Sequence, residues 1–317
     1  MLSKIGTALS LLILLAGCDP VTPAANINST QFEGFAVFSV IPENPVGIVY
    51  LFHGTGGSAN VALKIEPIDQ TNELLERGYG WIATESTQRT GNKRWDVFDA
   101  SITSNPDLAR LERLHAHVVA NTAVSSTTPI FGIGMSNGAR MVTLFGQVFA
   151  DNGYPVGAVA PFMGKAAPFV QASGGLRVPG FWVNATNDAL VDPALVVADQ
   201  QASAALGIPA VLFTKLEEPM LPFRFTRIPA VDPTEAVAIW ETLIATQVWD
   251  AQGNRVTDVE TMVAALEGIS APPGTGALPT QIGDQIGAML AFHEFTSAFR
   301  IYLADFFDEQ RIAMQAD

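Results

Sequence analysis

The chain has 317 residues, of which 48% are hydrophobic, and a formal net charge of −14 from 31 acidic and 17 basic side chains. This acid excess argues against nucleic acid or an anionic surface as a partner, because both would repel the protein. The length suffices for one large domain or a domain with a cap, and the single cysteine excludes an internal disulfide.

The first 17 residues predict a cleaved export signal that is not part of the fold. Lys4 supplies a positive charge ahead of the apolar run 5–15, which is too short to anchor stably across a bilayer. The run ends in Leu15-Ala16-Gly17-Cys18, which resembles the lipobox of bacterial lipoproteins at all four positions. The resemblance implies a lipidated Cys18 and a protein held at a membrane of the bacterial cell envelope, with a plain secretory leader as the alternative.

A tether and two strands are expected next. Residues 18–31 are polar, proline-bearing and aperiodic, which predicts a lipid-anchored tether and leaves 32–317 as the folded domain. Two apolar runs, Phe35–Ile41 and Val46–Phe52, are separated by a turn with two prolines. They predict neighbouring antiparallel strands.

A glycine-rich loop, His53-Gly54-Thr55-Gly56-Gly57-Ser58, follows the second run. In hydrolases whose nucleophile sits on a strand–turn–helix, such a loop supplies one backbone donor to the oxyanion. The predicted donor is the amide of Thr55, or that of Gly56 if the loop is shifted by one residue. A phosphate-binding loop is not predicted, because no Gly-Lys-Ser/Thr follows.

A polar stretch, residues 85–104, follows the predicted buried strand Gly80–Thr84. It therefore lies at the carboxyl end of that strand, where open α/β sheets bind ligands. It holds the densest basic cluster of the chain together with Trp95. Trp95 is a candidate wall of a substrate cleft, with an ordinary solvated loop as the alternative.

The central motif is Gly134-Met135-Ser136-Asn137-Gly138, between an apolar run at 129–133 and a helical pattern from Ala139 to Phe149. G-x-S-x-G between a strand and a helix is typical of a nucleophile elbow, in which the flanking positions must be small. Ser136 is the predicted nucleophile. The amide of Asn137, at the positive end of the following helix, is the other predicted oxyanion donor.

Two acids follow the predicted strand Val178–Asn184. Asp188 comes four residues after the strand, whereas Asp192 precedes a proline and could cap a helix over 194–206. In the chain order serine, acid, histidine, the carboxylate belongs in this loop. The sequence favours Asp188 and keeps Asp192 as the alternative.

Residues from about 215 to 290 predict a helical insertion, or cap, of three amphipathic helices. Asp232-Pro233-Thr234-Glu235 opens one of them with a capping box. Because the apolar faces must be buried, we expect the insertion to cover the mouth of the site, with Trp240 and Met289 as apolar walls. A fixed helical layer away from Ser136 is the alternative. His293 ends the insertion, and a helix is predicted at 294–309. Because only this histidine follows both the serine and the acid along the chain, it is the predicted base.

Alternating strands and helices predict a mostly parallel sheet with helices on both faces. From about residue 35 to 310 the chain resembles the α/β-hydrolase superfamily. More narrowly, three segments resemble the polyhydroxybutyrate-depolymerase and feruloyl-esterase-like group: His53–Gly57, Gly134–Gly138 and Val159–Gly164. The resemblance implies a serine carboxylesterase that acts on a small or polymeric ester through an acyl-enzyme, without metal or organic cofactor. A non-catalytic binding lipoprotein, a serine peptidase and an acyltransferase are the alternatives.

Overall fold

The structure, a computed structural model, describes residues 20–24, 26–258, 260–262, 265 and 278–316. The chain divides into two compact units. Of the described residues, those within 23–215 and 293–316 form the sheet unit, and those within 216–292 form the insertion unit together with residues 20–22. Cys18 and the predicted leader lie outside the described residues. Within the described ranges, every helix is too short or too polar to cross a bilayer.

The sheet unit alternates strands and helices along most of its length. Its strands are β1 (Asn28–Phe32), β2 (Phe35–Val40), β3 (Ile48–Phe52), β4 (Gly80–Thr84), β5 (Ile130–Met135), β6 (Val156–Phe162), β7 (Gly180–Ala185) and β8 (Ala210–Lys215). A short 3-10 helix (Ala59–Leu63) precedes α1 (Ile65–Glu76), and the unit continues with α2 (Pro106–Asn121), α3 (Asn137–Asp151), α4 (Pro168–Ala172), α5 (Pro193–Ala205) and the C-terminal α9 (Arg300–Ala316).

The eight strands form one sheet in the order β1-β2-β4-β3-β5-β6-β7-β8. β1 with β2 and β2 with β4 pair antiparallel, and all the remaining neighbours pair parallel. β3 is buried along its whole length, with Ile48, Tyr50 and Phe52 in the core cluster that α2 and α3 also join. Side chains at alternate positions point to the opposite face.

On that opposite face, C-terminal aromatic residues cover the sheet. Phe131 of β5 packs on Phe307 of α9 with ring centroids 4.7 Å apart, and Phe181 of β7 packs on Phe306 at 5.8 Å. Burial on both faces explains why the central strands are continuous apolar runs rather than alternating ones. The predicted mostly parallel sheet with helices on both faces is confirmed, here with eight strands, and the chain has the α/β-hydrolase fold.

The prediction that the first two apolar runs are neighbouring strands is wrong. β4 lies between β2 and β3, antiparallel to the first and parallel to the second. The connection 41–47 has seven residues and can reach about 20 Å, more than the roughly 10 Å between alternate strands. Gly80 permits the close approach, since a Cβ there would lie 2.8 Å from Ile48 Cδ1 and 3.1 Å from the Val40 carbonyl oxygen.

Residues 28–31, which composition assigns to the tether, are part of β1. This strand pairs in register with β2, from Asn28 opposite Ser39 to Phe32 opposite Phe35. Its side chains are almost all exposed, so its sequence carries no hydrophobic alternation. An edge strand held by main-chain bonds alone leaves no periodic signal.

The insertion unit contains α6 (Phe223–Thr226), α7 (Pro233–Ile244) and α8 (Leu278–Met289). The predicted start of α7 is confirmed, because the Asp232 carboxylate accepts from the amides of Thr234 and Glu235 while Glu235 accepts from the Asp232 amide. Residues 20–22 also belong to this unit. Val21 is buried there, and its amide donates to the carbonyl of Arg227 at 3.0 Å.

Candidate active site

Ser136 occupies a strained turn between β5 and α3. Its φ of 60° and ψ of −117° lie outside the regions that L-residues favour. The two glycines of the motif make this turn possible. A Cβ at Gly134 would collide with the carbonyl of Gly138, and one at Gly138 would collide with the carbonyl of Phe52. The turn is fixed further by the Ser136 amide, which donates to the Phe162 carbonyl at 2.9 Å. This is the geometry of a nucleophile elbow.

The amide of Asn137 begins α3 and has no carbonyl partner in the preceding turn of the helix. Among the described residues it makes no main-chain hydrogen bond. The helix is 15 residues long, so its N-terminus carries a substantial partial positive charge next to Ser136. Its first amide is therefore free to receive an anionic oxygen.

The glycine loop lies beside the nucleophile. A Cβ built on Gly54 would come within 3.3 Å of Ser136 Cβ and 3.9 Å of Ser136 Oγ. The Gly56 amide is occupied, since it donates to the Asn92 carbonyl at 2.7 Å, whereas the Thr55 amide has no partner in the part of the chain that the structure describes. Of the two donors that the sequence leaves open, only Thr55 has a free N–H.

His53 is fully buried at the start of this loop and both of its ring nitrogens are bonded. Nε2 accepts from the Ser86 amide at 3.1 Å, which leaves Nδ1 to carry the proton and donate to the Gly54 carbonyl at 2.7 Å. Burial lowers the pKa of His53 to about 4, against the smaller opposing effect of the Gly54 bond, and Arg89 and Arg110 lower it further. The ring is neutral at ordinary pH and acts as a fixed connector.

Trp95 joins the glycine loop to the elbow. Its indole N–H donates to the His53 carbonyl at 2.9 Å, and its amide donates to Asn137 Oδ1 at 2.7 Å. The indole packs against His53 and Phe52 with ring centroids 4.9 and 5.3 Å away and is only 1% exposed. The predicted role of Trp95 as a cleft wall stays a prediction.

Asp188 and His293 are brought together from positions 105 apart in the sequence. Asp188 Oδ2 lies 2.8 Å from His293 Nδ1, and Asp188 Oδ1 accepts from the amides of Leu190 and Val191 at 2.8 and 2.9 Å. Burial by itself raises the pKa of Asp188, but the bonds from His293, Val191 and Leu190 outweigh it, so the pKa lies below its usual value. The carboxylate is ionised and aligned on the imidazole.

The other imidazole nitrogen is unused. His293 Nε2 is buried and has no hydrogen-bond partner within the described ranges. Asp192, the alternative acid, is exposed and accepts from the Ala194 amide at 2.9 Å as the N-cap of α5. The structure therefore pairs the histidine with Asp188 and gives Asp192 to the helix.

A loop positions His293, and the predicted helix 294–309 begins only at Arg300. Phe295 stacks on Phe162, the last residue of β6, with ring centroids 4.5 Å apart. The Ser297 amide and hydroxyl both donate to the buried Glu66 carboxylate of α1, at 2.8 and 2.9 Å. These long-range bonds hold an irregular loop where local propensity favours a helix.

The same segment approaches the elbow. Phe295, Gly134 and Met135 line one small cavity of about 10 Å³, which is room for a single water molecule. Gln70 of α1 also faces it, and both atoms of its buried amide group have no protein partner in the described part of the chain. The segment after His293 and the strand before Ser136 therefore line the same cavity, but within the described ranges no hydrogen bond joins His293 Nε2 to Ser136 Oγ.

The remaining predicted site residues lie in the insertion unit. Trp240 is half-buried on α7, and its indole N–H donates to the Met220 carbonyl at 2.9 Å. Met289 ends α8, is buried, and accepts from the Glu218 amide through its carbonyl at 2.9 Å. Contact between either residue and a substrate stays a prediction.

Sequence reasoning missed the residues that hold the site. Glu66 is an unremarkable acid in the first turn of α1, and nothing local indicates that it binds Ser297. The motif indicates a role for the backbone amide of Asn137, but nothing in the sequence indicates that its side chain bonds Trp95. Only the fact that both are polar residues at element starts near the carboxyl edge of the sheet could have drawn attention to them.

No protein-family model and no curated protein matches the sequence. Among solved structures, the chain is similar to an acetyl xylan esterase from Aspergillus awamori, with 14% identity, 57% of this chain and 81% of that chain covered, and a TM-score of 0.46. It is also similar to esterase PE8, with 14% identity, coverage of 70% and 99% and a TM-score of 0.45. A third is Est1E from Butyrivibrio proteoclasticus, with 12% identity, coverage of 60% and 88% and a TM-score of 0.42. At such identities and TM-scores these likenesses carry no weight for the activity of this chain.

Proposed function

We propose that this chain is a serine hydrolase, specifically a carboxylesterase that acts through an acyl-enzyme. Ser136 is the nucleophile, His293 the general base and Asp188 the residue that orients the imidazole. The amides of Asn137 and Thr55 form the oxyanion hole. These assignments concern residues of the sheet unit alone and require no metal or organic cofactor.

The observation that carries the proposal is the bonding of His293. Its Nδ1 lies 2.8 Å from an ionised Asp188, while its Nε2 is buried without a protein partner in the described ranges. A carboxylate on Nδ1 selects the tautomer whose Nε2 lone pair is free to accept a proton. The imidazole of His53, by contrast, has both nitrogens bonded, so neither of them is available as a base.

The proposed reaction has two steps. Ser136 Oγ attacks the ester carbonyl while its proton passes to His293 Nε2, and the carbonyl oxygen becomes an anion held by the amides of Asn137 and Thr55. The imidazolium returns the proton to the leaving alcohol as the C–O bond breaks. Water then attacks the acyl-enzyme with His293 again as base. The imidazolium returns this proton to Ser136 Oγ as the acid is released, which restores the hydroxyl. Losing one oxyanion donor typically costs about a hundredfold or more in rate.

The test uses hydrolysis of a simple aryl ester by the wild-type protein and Ser136→Ala. We expect the variant to lose at least about 10⁴-fold in kcat while it retains the wild-type unfolding transition, since it deletes only a hydroxyl. A fluorophosphonate probe should label the wild type at Ser136 alone. Undiminished turnover by Ser136→Ala, or labelling at another serine, would contradict the assignment.

The substrate class is proposed from the resemblance to the polyhydroxybutyrate-depolymerase and feruloyl-esterase-like group. A panel of aryl esters of increasing acyl length, feruloyl esters and a hydroxyacyl polyester would rank the candidates by kcat/KM. Hydrolysis of amides or acyl transfer to an added alcohol in preference to water would instead favour a peptidase or an acyltransferase. Absence of turnover on every substrate would favour the non-catalytic binding lipoprotein.

We also propose that the mature protein is exported and lipidated at Cys18, and is held at a membrane of the bacterial envelope. The support is the lipobox resemblance of Leu15-Ala16-Gly17-Cys18. Mass spectrometry of the mature N-terminus should find a diacylglyceryl or triacyl cysteine at Cys18, and Cys18→Ser should abolish it. An unmodified cysteine, or a different N-terminal residue, would contradict this proposal and leave the proposed hydrolase activity unaffected.

A further inference from the structure

The two proposed oxyanion donors come from different parts of the sheet unit. Thr55 lies in the loop after β3, and Asn137 begins α3 after β5. An oxyanion hole works only when both N–H groups point at the same oxygen, each about 2.7–3.1 Å away. Within the described ranges, no main-chain hydrogen bond joins these two residues. The pairing of β3 with β5, with Phe52 opposite Gly134, fixes the strand ends. The two donors lie beyond those ends, so contacts outside the sheet also determine their separation.

A four-residue stretch, Asn92–Trp95, contacts the supports of both donors, and we call it the bracing segment. On the glycine-loop side, the Asn92 carbonyl accepts from the Gly56 amide at 2.7 Å and the Trp95 indole donates to the His53 carbonyl at 2.9 Å. On the elbow side, the Trp95 amide donates to Asn137 Oδ1 at 2.7 Å, and Asn137 Nδ2 returns a longer bond to the Trp95 carbonyl at 3.4 Å.

We propose that Trp95 is a positioning residue for the oxyanion hole, which sets the relative placement of the Thr55 and Asn137 amides. This inference rests on the proposed function and adds a role to a residue that does not touch the reacting atoms. Trp95 acts through His53 on one side and through the Asn137 side chain on the other.

The path through His53 is continuous. The Trp95 indole both packs on the His53 ring and holds its carbonyl, while His53 Nδ1 holds the Gly54 carbonyl and its Nε2 is held by Ser86. The carbonyls of the two peptide groups that flank the Gly54 Cα are therefore both bonded, and the second of these groups includes the Thr55 amide. A neutral, fully bonded histidine transmits position well because neither nitrogen is free to rearrange.

The burial of Trp95 separates this role from that of a cleft wall. With 1% of its surface exposed, the indole offers almost no area to a substrate, whereas the N–H it donates is part of the scaffold. A wall residue would influence how tightly substrates of different size bind. A positioning residue influences the stabilisation of the oxyanion whichever acyl group is present.

The experiment removes the indole N–H with Trp95→Phe and uses Trp81→Phe as a matched control. Trp81 of β4 is equally buried at 1%, and its indole nitrogen has no protein partner in the described part of the chain. Both variants lose the same atoms, but only Trp95→Phe loses a hydrogen bond. Turnover is expressed per active site, counted by fluorophosphonate labelling, so that a misfolded fraction does not contribute.

We expect Trp95→Phe to lower kcat per active site about tenfold, less than the hundredfold or more for a missing donor, with KM changed less than twofold. Trifluoromethyl ketones form an oxyanion when Ser136 attacks them. Two such ketones, one with a short and one with a long acyl chain, should both bind Trp95→Phe more weakly than wild type, and by the same factor. Trp81→Phe should match the wild type in both measurements. If Trp95→Phe does not fold, Asn137→Ala, which keeps the backbone amide, is judged by the same criteria.

Three results would overturn the inference. One is an unchanged kcat per active site. Another is a change confined to KM or to acyl-length preference, which would make Trp95 a cleft wall. The third is an equal loss in Trp81→Phe, which would indicate a general packing effect. A wild type that hydrolyses no ester would overturn the proposed function as well, whereas an active wild type with an indifferent Trp95→Phe overturns the inference alone.

Discussion

His53 and His293 lie in two loops of the sheet unit, and both imidazoles are largely buried. His53 follows β3 and has a protein partner on each nitrogen, the Gly54 carbonyl and the Ser86 amide. His293 is bonded through Nδ1 to Asp188, in the loop after β7, and its Nε2 has no partner in the described part of the chain. The same side chain is thus closed to proton transfer in one loop and open to it in the other.

The difference shows that the bonding of the second nitrogen, rather than burial, separates a scaffold histidine from a candidate base. Burial without a counter-charge lowers the pKa of His53 to about 4, so it remains neutral. Next to His293 stands a carboxylate whose own pKa is held low by three hydrogen bonds. That anion can stabilise an imidazolium formed during a reaction.

The largest expected effect tests the open nitrogen. His293→Gln keeps a polar side chain able to bond Asp188 but removes the basic nitrogen, so we expect kcat for an aryl ester to fall by roughly 10⁵–10⁶-fold. The control is His117→Gln, a histidine on the exposed side of α2, which should retain full turnover. Residual activity above about a hundredth of wild type would rule out His293 as the base.

Asp188→Asn tests what orients that nitrogen. An amide at this position can donate to Nδ1 and hold the wrong tautomer, so kcat should fall by about 10³–10⁴-fold. Asp192→Asn makes the same change four residues away, where Asn and Asp cap a helix about equally well, and should leave both kcat and stability nearly unchanged. The measurement is kcat of the two variants on the same ester. A larger loss of kcat in Asp192→Asn than in Asp188→Asn would make Asp192 the acid.

His53→Gln tests the closed histidine through the pH dependence of stability. Its pKa is about 4 when folded against 6.5 for the free side chain. As pH falls, the unfolded chain therefore binds a proton at His53 before the folded chain does. Protonation at this site lowers the free energy of unfolding by about 3 kcal/mol between pH 7 and pH 4. This loss begins near pH 6.5. Gln does not titrate, so the free energy of unfolding of His53→Gln, measured in urea, should depend less on pH over this range than that of wild type. An identical pH dependence in the two proteins would contradict the assignment.

The smallest expected effect lies outside both loops. If the insertion forms an apolar wall, as the sequence predicts, Trp240→Phe should shift the preferred acyl length by a factor of about ten in kcat/KM while leaving kcat for a short ester unchanged. Trp249→Phe is the control within the same unit, because Trp249 is buried and its indole nitrogen is unpartnered among the described residues. Equal acyl-length profiles for both variants and wild type would exclude Trp240 from the pocket.

The sequence predicted the parts of the site whose geometry is local. The turn at Ser136 follows from two glycines within five residues, because neither position can hold a Cβ. The start of α7 follows from Asp232, Pro233 and Glu235 in the same way. In each case the residues that determine the structure are within hydrogen-bonding or steric reach along the chain, so a short motif contains all the information needed.

Contacts between distant segments decided the rest. The sequence left two candidates for the acid, Asp188 and Asp192, and two for the oxyanion donor, Thr55 and Gly56. It also predicted β2 beside β3. The structure bonds Asp188 to His293, occupies the Gly56 amide with Asn92 and inserts β4 between the two strands. Glu66 likewise holds Ser297 in a loop where periodicity predicts a helix. Local pattern determines which elements form, whereas their order in the sheet and the pairing of side chains between loops depend on long-range packing, whose energy no short segment of the sequence encodes.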